Sequence, residues 1–190
     1  MKDVSKDMAL IEKEFENLIL TSKLYITSRE KEELSILQNN IDVLQIEMDK
    51  IMGQTEEKFD PNILMVLNRL NKVISKFQTA VQLLENIKSE KPLYPQLDVR
   101  RMLDMLLENI RSLIYTYSNV QSINVDKLEA DLQTIESLEE QNKRILITYL
   151  MQDWKNLKEV LTLIKIGEIY KDIAEKLVDI SILMNTSGKQ

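Results

Sequence analysis

The sequence predicts an all-α fold, a six-helix bundle, on three observations. Glycine and proline number only 3 each in 190 residues, too few for the turns of a β-rich chain of this length. Apolar residues recur three and four apart along nearly the whole chain, which is the spacing of one helix face. With 44% hydrophobic and 29% charged residues, the chain carries enough apolar material to bury a core and is not disordered. Aromatic residues make up 5%, so Leu, Ile, Val and Met must build that core.

The elements follow in order. The first helix sets Met8, Ile11, Phe15, Leu18 and Tyr25 on one face. Thr27-Ser28 offers an N-cap to the second, with Glu30 to Glu33 supplying negative charge to its first turn. Its stripe is Leu34, Leu37, Ile41, Leu44, Met48 and Ile51, and Gly53 is placed to end it as a C′ residue. Asp60-Pro61 opens the third helix, an N-cap carboxylate followed by Pro at the first helical position. That helix carries Ile63, Leu67, Leu70, Ile74, Phe77, Val81 and Leu84. A second stripe of Val66, Val73, Ala80, Leu83 and Ile87 gives it neighbours on two sides. The stretch SEKPLYPQ, with Pro92 and Pro95, is the evident linker. It divides a single all-α domain 1–190 into halves 1–91 and 92–190.

The fourth helix bears Val99, Met102, Leu106, Ile110, Leu113, Tyr117 and Val120. Asn124 to Asp126 reads as a turn and cap, and a fifth helix runs to about Gln152 with Leu128, Leu132, Ile135, Leu138, Ile145 and Tyr149. After Asp153 the pattern loosens, and Trp154 is expected to anchor this connection onto the core. The last helix carries Ile166, Ile169, Ile173, Leu177, Ile180 and Met184, and the tail NTSGKQ is expected to fray. Leu67, Leu70, Ile74, Phe77, Ile169, Ile173, Leu177 and Ile180 should be among the most buried side chains. Helices two, three, five and six have the longest stripes and are expected at the centre, with one and four outside.

The halves echo each other. A displacement of about 100 positions lays Leu64 on Ile164, Val66 on Ile166, Leu70 on Tyr170, Val73 on Ile173, Phe77 on Leu177 and Leu83 on Leu183. A similar shift puts Leu34, Leu37 and Leu44 over Ile135, Leu138 and Ile145.

Composition removes several chemistries. There is no His and no Cys, which excludes Ser-His and Cys-His nucleophiles, His/Cys zinc sites, haem and iron–sulfur ligation, and disulfides. A net charge of −6 argues against nucleic-acid binding. The N-terminus, MKDVSKDMALIEKEF, has acids where a signal peptide needs an apolar run. The longest uncharged stretch, Ser112 to Val125, is 14 residues, short of the ~18 a membrane span needs. Arg100-Arg101 is too little for phosphate recognition, the nine Met are dispersed as core fillers, and no carboxylate pair stands out as acid and base.

One run is more specific than helical patterning. Leu163-Ile164-Lys165-Ile166-Gly167-Glu168-Ile169-Tyr170, leading into Ile173, Glu175, Asp179 and Ile180, resembles the last helix of PhoU-like proteins. Within that family it is most similar to accessory proteins of Pit-type phosphate transporters, where an I-K-x-x-E-I-Y run opens the helix. The run IESLEEQNKRI resembles that family's fifth helix, and Asp60-Pro61-Asn62-Ile63 followed by Leu67 and Leu70 is similar to the opening of its third.

The resemblance implies two three-helix repeats and paired i, i+4 acids on helices, which can hold metal ions. This sequence departs from those pairs: the positions read Gln38 and Asp42, Asn71 and Ser75, Glu139 and Lys143, Lys171 and Glu175. Only Asp42, Glu139 and Glu175 remain acidic. Lysine beside a cation site repels the metal, so no metal, cofactor or catalytic residue is expected, and Lys143–Glu139 and Lys171–Glu175 are expected as ion pairs. The function implied is a non-enzymatic regulatory or accessory protein. It would be cytoplasmic, peripheral at the inner face of the membrane and not inserted in it. Its protein partner would be a membrane phosphate transporter or its regulator, and a homo-oligomer is compatible. The alternative is a structural helical or coiled-coil assembly.

Overall fold

Six apolar stripes must find one another, and the computed structural model, which describes residues 2–58, 61–87, 97–119 and 121–187, gives the solution. Among the described residues there is no strand. The helices are α1 (Lys2–Ser28), α2 (Lys31–Lys58), α3 (Pro61–Glu85), α4 (Val99–Asn119), α5 (Val125–Gln152) and α6 (Leu157–Ser187), with a 3-10 turn at Trp154–Asn156. All eight side chains expected deepest in the core are buried, none more than 6% exposed.

The arrangement corrects the expected centre. α2 packs on α1 and α3, α5 packs on α4 and α6, and the two sets meet through α1–α4, α3–α6 and α4–α6. The central helices are therefore α1, α3, α4 and α6, with α2 and α5 on the flanks. Stripe length misled because a long, narrow stripe is one-sided. α4 buries ten residues around a wide arc, Val99 to Thr116, in 21 positions. α5, longer at 28, buries only six. At the middle, the Phe77 ring of α3 lies 6.0 Å from Phe15 of α1 and 6.3 Å from Tyr170 of α6, tilted in both cases.

Several boundaries differ from the sequence reading. α1 runs through Ser28 and stops at Arg29, whose φ of 61° is left-handed. Its N–H donates to the Tyr25 carbonyl at 3.0 Å, the bond that closes a left-handed C-cap. Ser28 is thus not the N-cap of α2. The Glu30 carbonyl accepts the first helical bond, from Leu34 at 3.4 Å, while the Ser28 hydroxyl accepts from the Glu30 N–H at 3.1 Å and donates to Glu33. Gly53 does not end α2, which continues to Lys58 without a positive φ at glycine. The apolar stripe stops at Ile51, but a helix outlasts its buried face where the next turn is merely solvated.

The Asn124 cap is as read, its side chain accepting from the Lys127 N–H at 3.1 Å. The tail is better held than its polarity suggested. α6 continues to Ser187, and Asn185 bonds both backbone groups of Ile123, at 3.0 and 2.9 Å. Asp60, Val120, the linker at 89–96 with its 91/92 boundary, the Ile63 side chain and the last three residues lie outside the described residues.

Candidate functional site

The positions matched to the family's acid pairs do not converge. Asp42 is exposed on α2 and Glu139 is buried on α5, helices on different flanks of the bundle. Gln38 donates to Glu85 at 2.6 Å, and Asn71 accepts from Gln45 at 3.1 Å, so both serve the α2–α3 contact. Among the described residues no three Asp or Glu side chains gather where they could hold a metal ion.

Neither expected i, i+4 ion pair forms. Glu139 is buried, and a Cβ built on Gly167 would meet its Cγ at 3.5 Å, so the stem of this side chain is packed into the α5–α6 contact. Lys143, on the outer edge of α5, reaches across to Glu168 at 3.7 Å instead. No ion pair joins Lys171 to Glu175 among the described residues. The nearby acids of α6 pair with α3, as Lys76–Asp172 at 2.6 Å and Arg69–Asp179 at 3.4 Å.

What lies between those two helices is an open groove of about 450 Å³. α3 lines it with Lys72, Ser75, Lys76 and Thr79, and α6 with Lys165, Glu168, Ile169, Asp172 and Lys176. Helical spacing explains the line-up, since 72, 75, 76 and 79 share one face of α3 and 165, 168, 169, 172 and 176 one face of α6. Of the four ammonium groups, Lys76 is held by Asp172 and Lys176 lies 3.5 Å from Asp179. Lys72 and Lys165 are exposed and have no ion-pair partner among the described residues.

The hydroxyls of Ser75 and Thr79 donate to the carbonyls of Asn71 and Ser75, at 3.0 and 2.9 Å. Toward the groove they can only accept. The groove thus offers an anionic surface mobile point charges, without the fixed bidentate geometry that arginine would bring. It holds no nucleophile–base pair of the Ser-His or Cys-His type. The sequence reading missed these lysines because it followed the acid positions. The available signal was the i, i+4 pair Lys72 and Lys76, and the 100-residue displacement that lays Lys76 over Lys176.

The groups whose proton affinity the fold moves lie outside the groove. Burial pushes the Tyr170 phenol well above its usual range in the core. Burial also raises the Asp131 carboxyl, with Lys127 opposing, while a hydrogen bond with Glu108 raises Lys127. Glu159, at the start of α6, is raised by burial and opposed by Arg29. No protein-family model and no curated protein matches the chain.

Proposed function

We propose that the protein is a non-enzymatic regulatory or accessory protein of the PhoU-like kind, acting on a protein partner through its helix surfaces. The observation that carries this reading is the α3–α6 groove, where Lys72 and Lys165 stand exposed with no ion-pair partner among the described residues. In a chain of net charge −6, such a local cationic groove favours an acidic protein surface and fixes the orientation of encounter. The partner in this reading is a membrane phosphate transporter of the Pit type, or its regulator, met from the cytoplasmic side.

The packing pattern supports the two-repeat part of the reading. α2 packs on α1 and α3 as α5 packs on α4 and α6, and the corresponding helices α1 and α4, and α3 and α6, pack on each other. Within the run that carries the resemblance, Leu163, Ile166, Ile169 and Tyr170 face the core while Lys165 and Glu168 line the groove.

The test is genetic and physical together. Deleting the gene should alter phosphate uptake, and the tagged protein should co-purify with that transporter or its regulator. Unchanged uptake together with no co-purification would overturn the reading.

A further inference from the structure

The connection between α5 and α6 presents apolar side chains to solvent in a way the rest of the fold does not require. The Lys143–Glu168 contact at 3.7 Å marks which edges of the two helices share a surface. Stepping along α5 by four, Ile147 and Met151 continue the Lys143 edge. Stepping back along α6 by seven and then four, Leu161 and Leu157 continue the Glu168 edge. The helices are antiparallel neighbours, so the two edges run to a common tip closed by residues 153–156. All four side chains are exposed, Met151 at 74%, and Trp154 at the tip is 69% exposed.

Two cations stand at the tip itself: between Met151 and Leu161 the charged residues are Lys155, Lys158, Asp153 and Glu159, while further along the two helices Lys143 is met by Glu168 and Arg144 by Glu140. Lys155 and Lys158 flank Trp154 and are exposed. Glu159 is turned inward toward Arg29, at 3.8 Å, which removes one of the two negative charges from the outer surface.

This composition selects among occupants. A second copy of the chain would set the same lysines against each other, which costs affinity. A protein groove-binder needs walls, and Met151 and Trp154 stand too open to form any. A lipid interface fits both features at once: indole and long cationic side chains settle at the headgroup level, apolar body inward and polar group outward. Anionic headgroups complement the local charge, while the acidic remainder of the molecule is repelled and orients the tip toward the membrane.

We propose that the α5–α6 tip docks on an anionic lipid bilayer, with Trp154, Met151, Leu157 and Leu161 entering the headgroup–acyl boundary and Lys155 and Lys158 on the phosphates. The contact is peripheral and shallow, about 5–10 Å deep as for other interfacial helices. Among the described residues no helix is long and apolar enough to cross a membrane.

Trp154 is the single tryptophan of these 190 residues, so the chain reports its own docking. Vesicles of phosphatidylcholine with phosphatidylglycerol should carry the protein in flotation, blue-shift its tryptophan emission and lose it as salt rises. Vesicles of phosphatidylcholine should bind it much less. Each basic residue at an anionic surface is worth about fivefold in partitioning, so Lys155→Gln with Lys158→Gln should weaken binding by roughly 30-fold. Met151→Gln should weaken it while leaving the reporter in place, and thermal melts should show all variants folded. Four results would each overturn the inference: no flotation with anionic vesicles at low salt, flotation with unchanged emission, equal binding to neutral vesicles, or a dimer that the same variants dissociate. The vesicles contain no transporter, so failure here is separate from failure of the proposed partner.

Discussion

Two interhelical turns at one end of the molecule invert the usual rule for their residues. The α1–α2 turn buries a cation, and the α5–α6 turn exposes a tryptophan. Arg29 stands in the left-handed region at φ 61°, its side chain 2% exposed, over the Tyr25 ring at 5.5 Å and 3.8 Å from Glu159. Its guanidinium nitrogens find no hydrogen-bond acceptor among the described residues. Close to that contact along the chain, since Glu159 follows Trp154 by five positions, Trp154 stands 69% exposed. The lesson is that residue class alone does not assign burial at a turn. The first turn must fasten α1 to the start of α6, and a long amphipathic side chain can do that. The second turn has no such task, so its apolar surface is free for something outside the chain.

The core sets the scale for breaking this comparison. Phe77→Ala removes the ring between Phe15 and Tyr170 and should cost about 3–5 kcal/mol in denaturant melts. Arg29→Ala should come next. It leaves Glu159, partly buried in the fold, without its countercharge and strips packing from Tyr25, for a loss of about 2–4 kcal/mol. A loss below about 0.5 kcal/mol would mean that Arg29 fastens nothing.

Arg29→Gly sharpens the point, because glycine adopts a left-handed φ without the ~1 kcal/mol or more that a side chain incurs there. It should be more stable than Arg29→Ala by about that amount, although both lose the same charge. Equal stabilities would mean the left-handed conformation is not maintained in solution.

Glu159 gives a dependence on pH. Burial raises its carboxyl in the folded state, so the native protein holds that proton more tightly than the unfolded chain does. Its contribution is fully favourable below the ordinary glutamate range and is lost as pH rises through the raised value. The stability of the native protein relative to Glu159→Gln should therefore fall as pH climbs through that window and be level on either side. A difference that rose with pH would reverse the assignment. Smallest of all, Trp154→Ser should leave stability within about 0.5 kcal/mol, as for an exposed side chain.

Periodicity made most of the fold legible. The helices, the eight deepest core residues and the Asn124 cap all follow from spacing and cap chemistry, which act locally. What the sequence reading missed depends on which helix a residue meets. Stripe length ranked α2 and α5 as central, whereas α4, with its wide buried arc, is more deeply placed. Lys143 was matched with Glu139 by i, i+4 spacing and instead meets Glu168 across the helix interface. Trp154 was expected inward because tryptophan usually is, and nothing local reports that the adjoining helices leave no pocket for it. Of the candidate groove, the spacing of Lys72 and Lys76 and the displacement that lays Lys76 over Lys176 are legible in the sequence; that the two sets face each other follows from the α3–α6 pairing.

The proposed function rests on the α3–α6 groove, and its exposed lysines allow a direct measurement. Lys72→Glu with Lys165→Glu lies on the solvent side of two well-buried helices and should leave folding and abundance unchanged. With this double variant replacing the native gene, phosphate uptake should shift as it does in the deletion strain, and co-purification with the transporter or its regulator should be lost. Native uptake at native abundance, with the partner still bound, would contradict the assignment of the groove as the regulatory surface.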